Sequence, residues 1–318
     1  MNDYLVLIAG LIVLIAGGEF LVRGAIGIAK KAQLSTLVIG MTVISFGTSA
    51  PELFVSIDSA LDGNPEIAIG NVVGSNIANI ALVLGLTVII LPIAVDRNSK
   101  IIDWPVMFGA TILFFLFALD LEIAMWEGIV LFSILLVFTY LLIRNSRKQN
   151  KKAKAEEEDD EVANVKDKIG VSILFTLLGL VGLYFGAEWL IHGAVGIADS
   201  FGMEKRIIAV TVVAFGTSVP ELVTSGVAAF KGETDISVGN LIGSNIFNIM
   251  AVVAVTAIVK STAVDPNILN FDMWWMIGIS AALLPLMLIG KKIGRVKGVM
   301  LVGTYVVYIT LIIMSIPQ

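Results

Sequence analysis

Apolar residues dominate this chain in runs of about 20, the length that carries a helix across a bilayer core. Ten runs stand out, near 4–22, 34–62, 66–92, 101–119 and 124–143, and again near 171–191, 206–230, 236–259, 271–289 and 297–315. They predict an all-α polytopic membrane protein with ten transmembrane helices. One long polar stretch divides the series at 144–169, a basic block followed by an acidic one. Such a segment reads as a solvated, flexible tether, too short to hold a domain. The first run, LVLIAGLIVLIAGGEFLV, has no basic start and no small-residue cleavage site, so it reads as a span and not a signal peptide.

Two of the runs contain residues that a plain span would avoid. GTSAPE at 47–52 returns as GTSVPE at 216–221. Pro51 has no N–H for the carbonyl of Gly47, and its ring clashes there. Gly47 adds backbone freedom. The expected result is a kink that bares carbonyls near Ser45, Gly47 and Thr48, beside the Thr48 and Ser49 hydroxyls and one turn from Glu52. Gly216, Pro220, Thr217, Ser218 and Glu221 repeat the arrangement. Irregular backbone at membrane depth is tolerated only where it is buried or lines a cavity. Carbonyl, hydroxyl and carboxylate oxygens are hard ligands suited to Ca²⁺ or Na⁺. A carboxylate at mid-span costs ~2.5–3.5 kcal/mol on insertion scales, so each glutamate needs a cation or a proton. The bland alternative is a pair of protonated glutamates bonded between helices.

The following run supplies a second polar wall. It reads EIAIGNVVGSNIANI at 66–80 and DISVGNLIGSNIFNI at 235–249. Asn71, Ser75 and Asn79 are four apart and share one helix face. Gly70 and Gly74 form a GxxxG pattern that predicts close approach of a neighbouring helix. Ser75, Asn79, Ser244 and Asn248 are site candidates beside the broken helices. Asn71, Asn76, Asn240 and Asn245 fit helix-break or packing roles equally well. Glu19 with Arg23, and Glu188 with His192, lie toward expected span ends and read as interfacial anchors. Asp58 and Asp62 read as a solvated face, and Trp274 and Trp275 as interface aromatics.

Composition narrows the chemistry further. The chain of 318 residues is 57% hydrophobic and 15% charged, with a mean hydropathy of +0.95 and no cysteine. Disulfides, thiolate metal sites and cysteine nucleophiles are excluded, and a single histidine excludes a histidine metal cluster. If the N-terminus lies outside, every Lys and Arg except Lys205, Arg206 and Lys260 falls in a cytoplasmic loop. That asymmetry predicts both termini outside and the 144–169 loop in the cytoplasm.

The halves repeat at an offset of 169 residues, pairing Glu52 with Glu221, Ser75 with Ser244 and Asn79 with Asn248. GGEFLVRGAIGIA at 17–29 likewise matches GAEWLIHGAVGIA at 186–198. Five spans per half is odd, so the second half enters from the opposite side. The prediction is two inverted five-helix repeats, 1–143 and 170–318, with the paired motifs at 46–80 and 215–249. Such builds place a substrate site near the midplane where broken helices meet.

The paired stretches GTSAPELFVSI…GNVVGSNIANI and GTSVPELVTSG…GNLIGSNIFNI resemble the two alpha-repeats of the cation/Ca²⁺ exchanger superfamily, and most closely its prokaryotic sodium/calcium exchangers. The resemblance covers nearly the whole chain outside 144–169. It implies a multi-pass protein of a prokaryotic cytoplasmic membrane that exchanges Ca²⁺ for several Na⁺ by alternating access, and no enzyme. It implies that Glu52 and Glu221 are shared Ca²⁺ and Na⁺ ligands, completed for Ca²⁺ by the carbonyls of Thr48 and Thr217. Ser49, Ser75, Ser218 and Ser244, with the carbonyls of Ser45 and Ala214, would help form flanking Na⁺ sites. Asn79 and Asn248 would occupy the centre, and spans one and six would slide as the gating pair. Some family members carry aspartate at one central position, whereas this chain has asparagine at both, leaving two carboxylates. No cofactor, nucleic acid or obligate protein partner is implied.

Charge alone links two carboxylates to exchange. The empty site carries about −2 in a poorly solvated place, which makes it costly to occlude. One Ca²⁺ or several Na⁺ remove that cost, so only filled states should isomerise easily. A Ca²⁺/H⁺ or K⁺-dependent antiporter is the nearest rival. A passive channel would need a polar path through the membrane, and an intramembrane hydrolase an asymmetric catalytic set.

Overall fold

The computed structural model describes residues 3–156, 169–201, 214–290 and 292–315. Residues 157–168 of the central connection lie outside that set. So does the start of the seventh expected span, 202–213, with Lys205 and Arg206. Among the described residues eight helices are long and apolar enough to cross a membrane, and one bent pair makes a ninth. In chain order they are α1 (Asp3–Ala32), the bent pair α2 (Thr36–Thr48) and α3 (Ala50–Leu61), α4 (Pro65–Ile90), α5 (Ser99–Asp120) and α6 (Met125–Asn150). The second half runs α7 (Ile169–Ser200), α8 (Ala214–Thr217), α9 (Val219–Phe230), α10 (Thr234–Val259), α11 (Ile268–Leu288) and α12 (Arg295–Met314). The protein is an all-helical, multi-span membrane protein.

α4 and α10 form the interior, with 78% of each apolar window buried, whereas the outer helices bury far less. Their polar stripes need no lipid contact because they are held inside the protein, against the broken helices of both halves. Two antiparallel two-residue ladders tie the halves together. Ile93–Ala94 pairs with Lys292–Ile293, and Glu122–Ile123 with Thr262–Ala263.

α1 and α7 pack along their full lengths in opposite directions. A Cβ on Gly10 would meet Leu190, one on Gly17 would meet Leu183, and one on Gly24 would meet Thr176, each at backbone atoms. The number rises along one helix as it falls along the other. These two helices are equivalent by the 169-residue repeat, so their antiparallel course is what inverted halves require. Bare glycine faces let the backbones touch directly. Both helices are longer than the expected runs. Glu19 falls near the middle of the longer α1, where it bonds Arg23 and Lys231, the residue that ends Val219–Phe230, at 2.5 and 2.7 Å.

The polar connection is also more ordered than its composition predicts. The helix that begins at Met125 continues to Glu156. The Ser35 backbone N–H donates to Ser146 Oγ at 2.9 Å, and Asn150 Nδ2 donates to the Gln33 carbonyl at 3.0 Å. These bonds fix the start of 144–169 against the α1–α2 turn, so that part is a helical extension and not a free tether.

Candidate functional site

The second span breaks where the sequence says it must, with one addition. α2 and α3 meet at a 42° bend, and the hinge residue Ser49 has φ −88° and ψ 3°. Ser218, at the equivalent hinge, has φ −92° and ψ 2°. Pro51 and Pro220 each sit in the first turn of the following helix, where a missing N–H costs least. The addition is a π-helical turn at Gly40–Ile44, just before the break. Further π-turns occur in repeat-related pairs, at Asn79–Leu84 and Asn248–Val253, and at Ser99–Asp103 and Ile268–Asp272. Such turns cluster at functional positions because they re-aim side chains inside a helix. Here they begin at Asn79 and Asn248, the two central candidates.

The break glycines are needed for packing as well as for bending. A Cβ on Gly47 would fall 2.1 Å from Leu180 Cδ2, and one on Gly216 would fall 2.3 Å from Ile191 Cγ1. Both breaks therefore rest on α7.

The polar candidates converge across the halves. Glu52, Glu221, Ser45, Thr48, Ser49, Ser75, Ser218, Ser244, Asn79 and Asn248 are all buried, both glutamates completely. Ser49 Oγ, from the first half, donates to Glu221 Oε1 at 3.3 Å. The Thr48 and Ser244 hydroxyls also face Glu221. Thr48 Oγ1 donates to Asn240 Oδ1 at 3.2 Å and lies 3.4 Å from Ser244 Oγ. Ser45 Oγ reaches the carbonyls of Gly40 and Asn240 at 2.8 and 3.0 Å. Glu52 has Ser75 as its hydroxyl neighbour and Glu221 as its charged one. Thr217 lines a cavity of about 260 Å³ with Gly70, Asn71, Gly74 and Ser75. Ala214 heads α8, one turn before Thr217.

Many of these atoms lack protein partners. Among the described residues, Glu52 Oε1 and Oε2, Glu221 Oε2, Asn79 Oδ1, Ser218 Oγ and both amide atoms of Asn248 are buried without a hydrogen bond. A buried unpaired polar atom costs about 1–3 kcal/mol, and more when charged, so such a concentration in one place is expected only where something else binds. The atoms are mostly oxygens, and an amide can turn its oxygen inward. The chemistry they can perform is coordination of a hard cation, with hydroxyls and amides filling out two carboxylates.

Two packing expectations need correction. The GxxxG reading of Gly70 and Gly74 fails on this side, since among the described residues a Cβ on Gly74 would meet nothing within 4 Å. The close approach occurs at the repeat-related pair. A Cβ on Gly239 would lie 2.5 Å from the Leu37 carbonyl, and one on Gly243 would lie 2.7 Å from Met41 Cα. The asparagines left between roles also resolve. Asn71 Nδ2 donates to Ser56 Oγ and Asn240 Nδ2 to the repeat-related Ser225 Oγ, each at 3.0 Å, while Asn240 Oδ1 also accepts from Thr48 and Asn71 Nδ2 reaches the Glu52 carbonyl at 3.2 Å. Asn79 Nδ2 donates to Asn245 Oδ1 at 3.2 Å, and Asn76 meets Met276 Sδ at 3.8 Å. The repeat pairs Asn240 with Asn71 and Ser225 with Ser56, so the serine contact follows the repeat, whereas the bond from Thr48 across the halves needed the fold.

Fold and site together define a cation antiporter, and comparison with known proteins names its family. The model of the sodium/calcium exchanger protein family matches residues 3–144 and 171–314, and the chain belongs to that family. It is 35% identical over 310 residues to the putative antiporter CaxA of Alkalimonas amylolytica, covering 95% of each chain. It is 31% identical over 343 residues to the sodium/calcium exchanger MaX1 of Methanosarcina acetivorans, covering 98% of each. The fold superposes on the sodium-calcium exchanger NCX_Mj soaked with 10 mM Na⁺ and 10 mM Sr²⁺, with a TM-score of 0.83 at 31% identity, over 98% of this chain and 99% of that one. The protein is thus an integral membrane antiporter of the cation/Ca²⁺ exchanger family, and a transporter rather than an enzyme.

Proposed function

We propose that the chain exchanges Ca²⁺ for several Na⁺ by alternating access, with Glu52 and Glu221 as the shared cation ligands. The observation that carries this reading is the pair of fully buried carboxylates with unpartnered oxygens, ringed by hydroxyls and amides. Thr48 and Thr217 would add carbonyls for Ca²⁺. Ser45, Ser49, Ser75, Ala214, Ser218 and Ser244 would flank them as Na⁺ ligands, and Asn79 and Asn248 would line the centre. Residues 1–143 and 170–318 are the inverted repeats on this reading. The 144–169 connection is cytoplasmic and both termini lie outside, in keeping with the distribution of Lys and Arg.

The mechanism follows from charge. Two ionised carboxylates buried together are costly, and one Ca²⁺ or several Na⁺ relieve that cost. Empty carriers are therefore slow to isomerise and filled ones are fast, which couples the two fluxes. A second reading, Ca²⁺/H⁺ exchange, draws on asparagine at both central positions. With two carboxylates, two protons also restore neutrality.

Proteoliposomes loaded with Na⁺ test the reading by uptake of radioactive Ca²⁺, against matched H⁺ and K⁺ gradients. Uptake should follow the Na⁺ gradient and accelerate at inside-positive potential, because more than two charges leave per Ca²⁺. Uptake driven equally by H⁺ would replace the proposal with the second reading, and no Ca²⁺ movement under any gradient would reject both.

A further inference from the structure

The cavity that reaches Ser75 and Thr217 has a carboxylate on its wall that belongs to neither broken helix. Asp272 is half-buried at the end of the Ile268–Asp272 π-turn and lines this cavity with Gly70, Asn71 and Gly74. Among the described residues the ion pairs are those of Glu19, so Asp272 has no basic partner. The nearby charge that acts on it is Asp265, another carboxylate. One oxygen, Oδ1, accepts the Tyr308 hydroxyl at 2.9 Å. The Tyr308 ring lies against Phe271, Trp275 and Tyr305, with centroids 5.6–6.4 Å away, so that hydroxyl is held in place.

The repeat shows what is particular to this side. Asp265 and Asp272 correspond to Asp96 and Asp103 at the 169-residue offset. Asp265 and Asp96 each accept the N–H two residues on, at 2.7 and 2.8 Å. Asp103, however, is 1% exposed with Oδ2 unpartnered, whereas Asp272 opens on a cavity. One residue more separates the halves at their last span, where Ile123 and Gly128 match Ile293 and Gly298, so the position equivalent to Tyr308 is Phe138, a ring without the hydroxyl. The carboxylate is thus common to both halves, and the aromatic hydroxyl that holds it is found in one.

We propose that Asp272, held by Tyr308, is an antechamber cation ligand that receives Ca²⁺ before it passes to Glu52 and Glu221. A carboxylate on a low-dielectric wall concentrates cations, and divalent ones more steeply than monovalent ones. The Tyr308 hydroxyl occupies one oxygen and fixes the carboxylate's aim, which keeps the contact loose enough for the ion to move on. On this proposal access is from one side. The cavity belongs to the face that carries the 61–64 turn, to which Lys260 is bonded through the Ala60 carbonyl at 2.8 Å.

The inference rests on the exchange reading for its transport arm, so a second arm is independent of transport. In membrane vesicles of both orientations, Asp272→Asn should raise the KM for Ca²⁺ about tenfold on that face only, the low end of the enrichment a charged cleft provides. Its kcat should hold and Asp272→Glu should restore the KM. Asp103→Asn should leave KM on that face unchanged. In the second arm, Tb³⁺ luminescence sensitised by the Tyr308–Trp275 cluster is measured in the Glu52→Gln/Glu221→Gln protein. The signal should persist there, disappear on adding Asp272→Asn, and return with Asp272→Glu. A KM shift equal on both faces, a loss confined to kcat, or Tb³⁺ emission indifferent to Asp272 would overturn the proposal. Absence of Ca²⁺ transport by the unaltered protein would reject the exchange reading and leave the Tb³⁺ arm to decide the site.

Discussion

Gly74 and Gly243 are equivalent by the repeat but not in their surroundings, which makes them a matched pair of probes. A Cβ at Gly243 would lie 2.3 Å from Ser45 Oγ, 2.7 Å from Met41 Cα and 3.0 Å from the Met41 carbonyl. Two of those three atoms are backbone, so α2 itself must move. Among the described residues a Cβ at Gly74 would meet nothing within 4 Å. Overpacking of this kind costs about 1–3 kcal/mol. Gly243→Ala should therefore destabilise the observed conformation by that amount, a factor of roughly 5 to 150 in its population. Gly74→Ala should leave it within about 0.5 kcal/mol, as for a substitution in open space. If the two halves exchange roles during transport, the Gly74 methyl clashes in the opposite conformation. Both variants should then slow exchange, but only Gly243→Ala should lower the melting temperature of the ion-free protein. Equal melting temperatures would refute the packing argument. Unimpaired transport by Gly74→Ala would refute the exchange of roles.

Two further outcomes follow from buried charge and one exposed contact. Ca²⁺ at about 100 times its Kd should stabilise the protein by ~2.7 kcal/mol, and Glu52→Gln or Glu221→Gln should abolish that shift in a thermal melt. The same variants should raise ion-free stability, since a neutral amide removes part of the carboxylate repulsion; ion-free melting below that of the parent would count against two ionised carboxylates. The Lys231–Glu19 pair joins α1 to the end of α9 at 2.7 Å, with both side chains about a third exposed. A contact so solvated is worth ~0.2–1 kcal/mol, so Lys231→Met should change exchange by no more than about fivefold and only at low salt. An unchanged effect at high salt would show that Lys231 acts through packing instead.

Most of the architecture was legible in the sequence because the constraints on a membrane span are severe. Length and apolarity are nearly sufficient to place α4, α5 and α10, whose ends fall close to the expected ones. The break at GTSAPE was legible because proline leaves one outcome for the preceding carbonyl. Three things were not. The π-turn at Gly40–Ile44 leaves no residue signature, since it depends on how α2 packs against α10. The true length of α1 was hidden because Glu19 and Arg23 looked like a span end, whereas the helix continues to Ala32. The partners of each asparagine were hidden because the two copies of GNxxGSN are alike in sequence and differ only in what stands opposite. The candidate residues were readable singly, but their pairing across halves required the fold.

That cross-pairing explains why exchange needs two copies of the motif. The first broken helix sends a hydroxyl across to the other half, as Ser49 bonds Glu221 and not Glu52. Glu221 is not served by its own half alone, since it meets Thr48 and Ser49 of the first half as well as Ser244 of its own. Any motion that separates the halves on one side must loosen one set of contacts while the other set stays closed, and in this structure the set around Thr48 is buried. The two sets are chemically alike, so reversing the motion exchanges their roles at little cost once a cation has neutralised the carboxylates. With Glu52 and Glu221 as the proposed ligands, the energetic penalty for moving without a cation would fall on the same two residues whichever way the site faces. On the proposed exchange reading, ligation and coupling are one property of the site, and a substitution that removes a carboxylate should alter both.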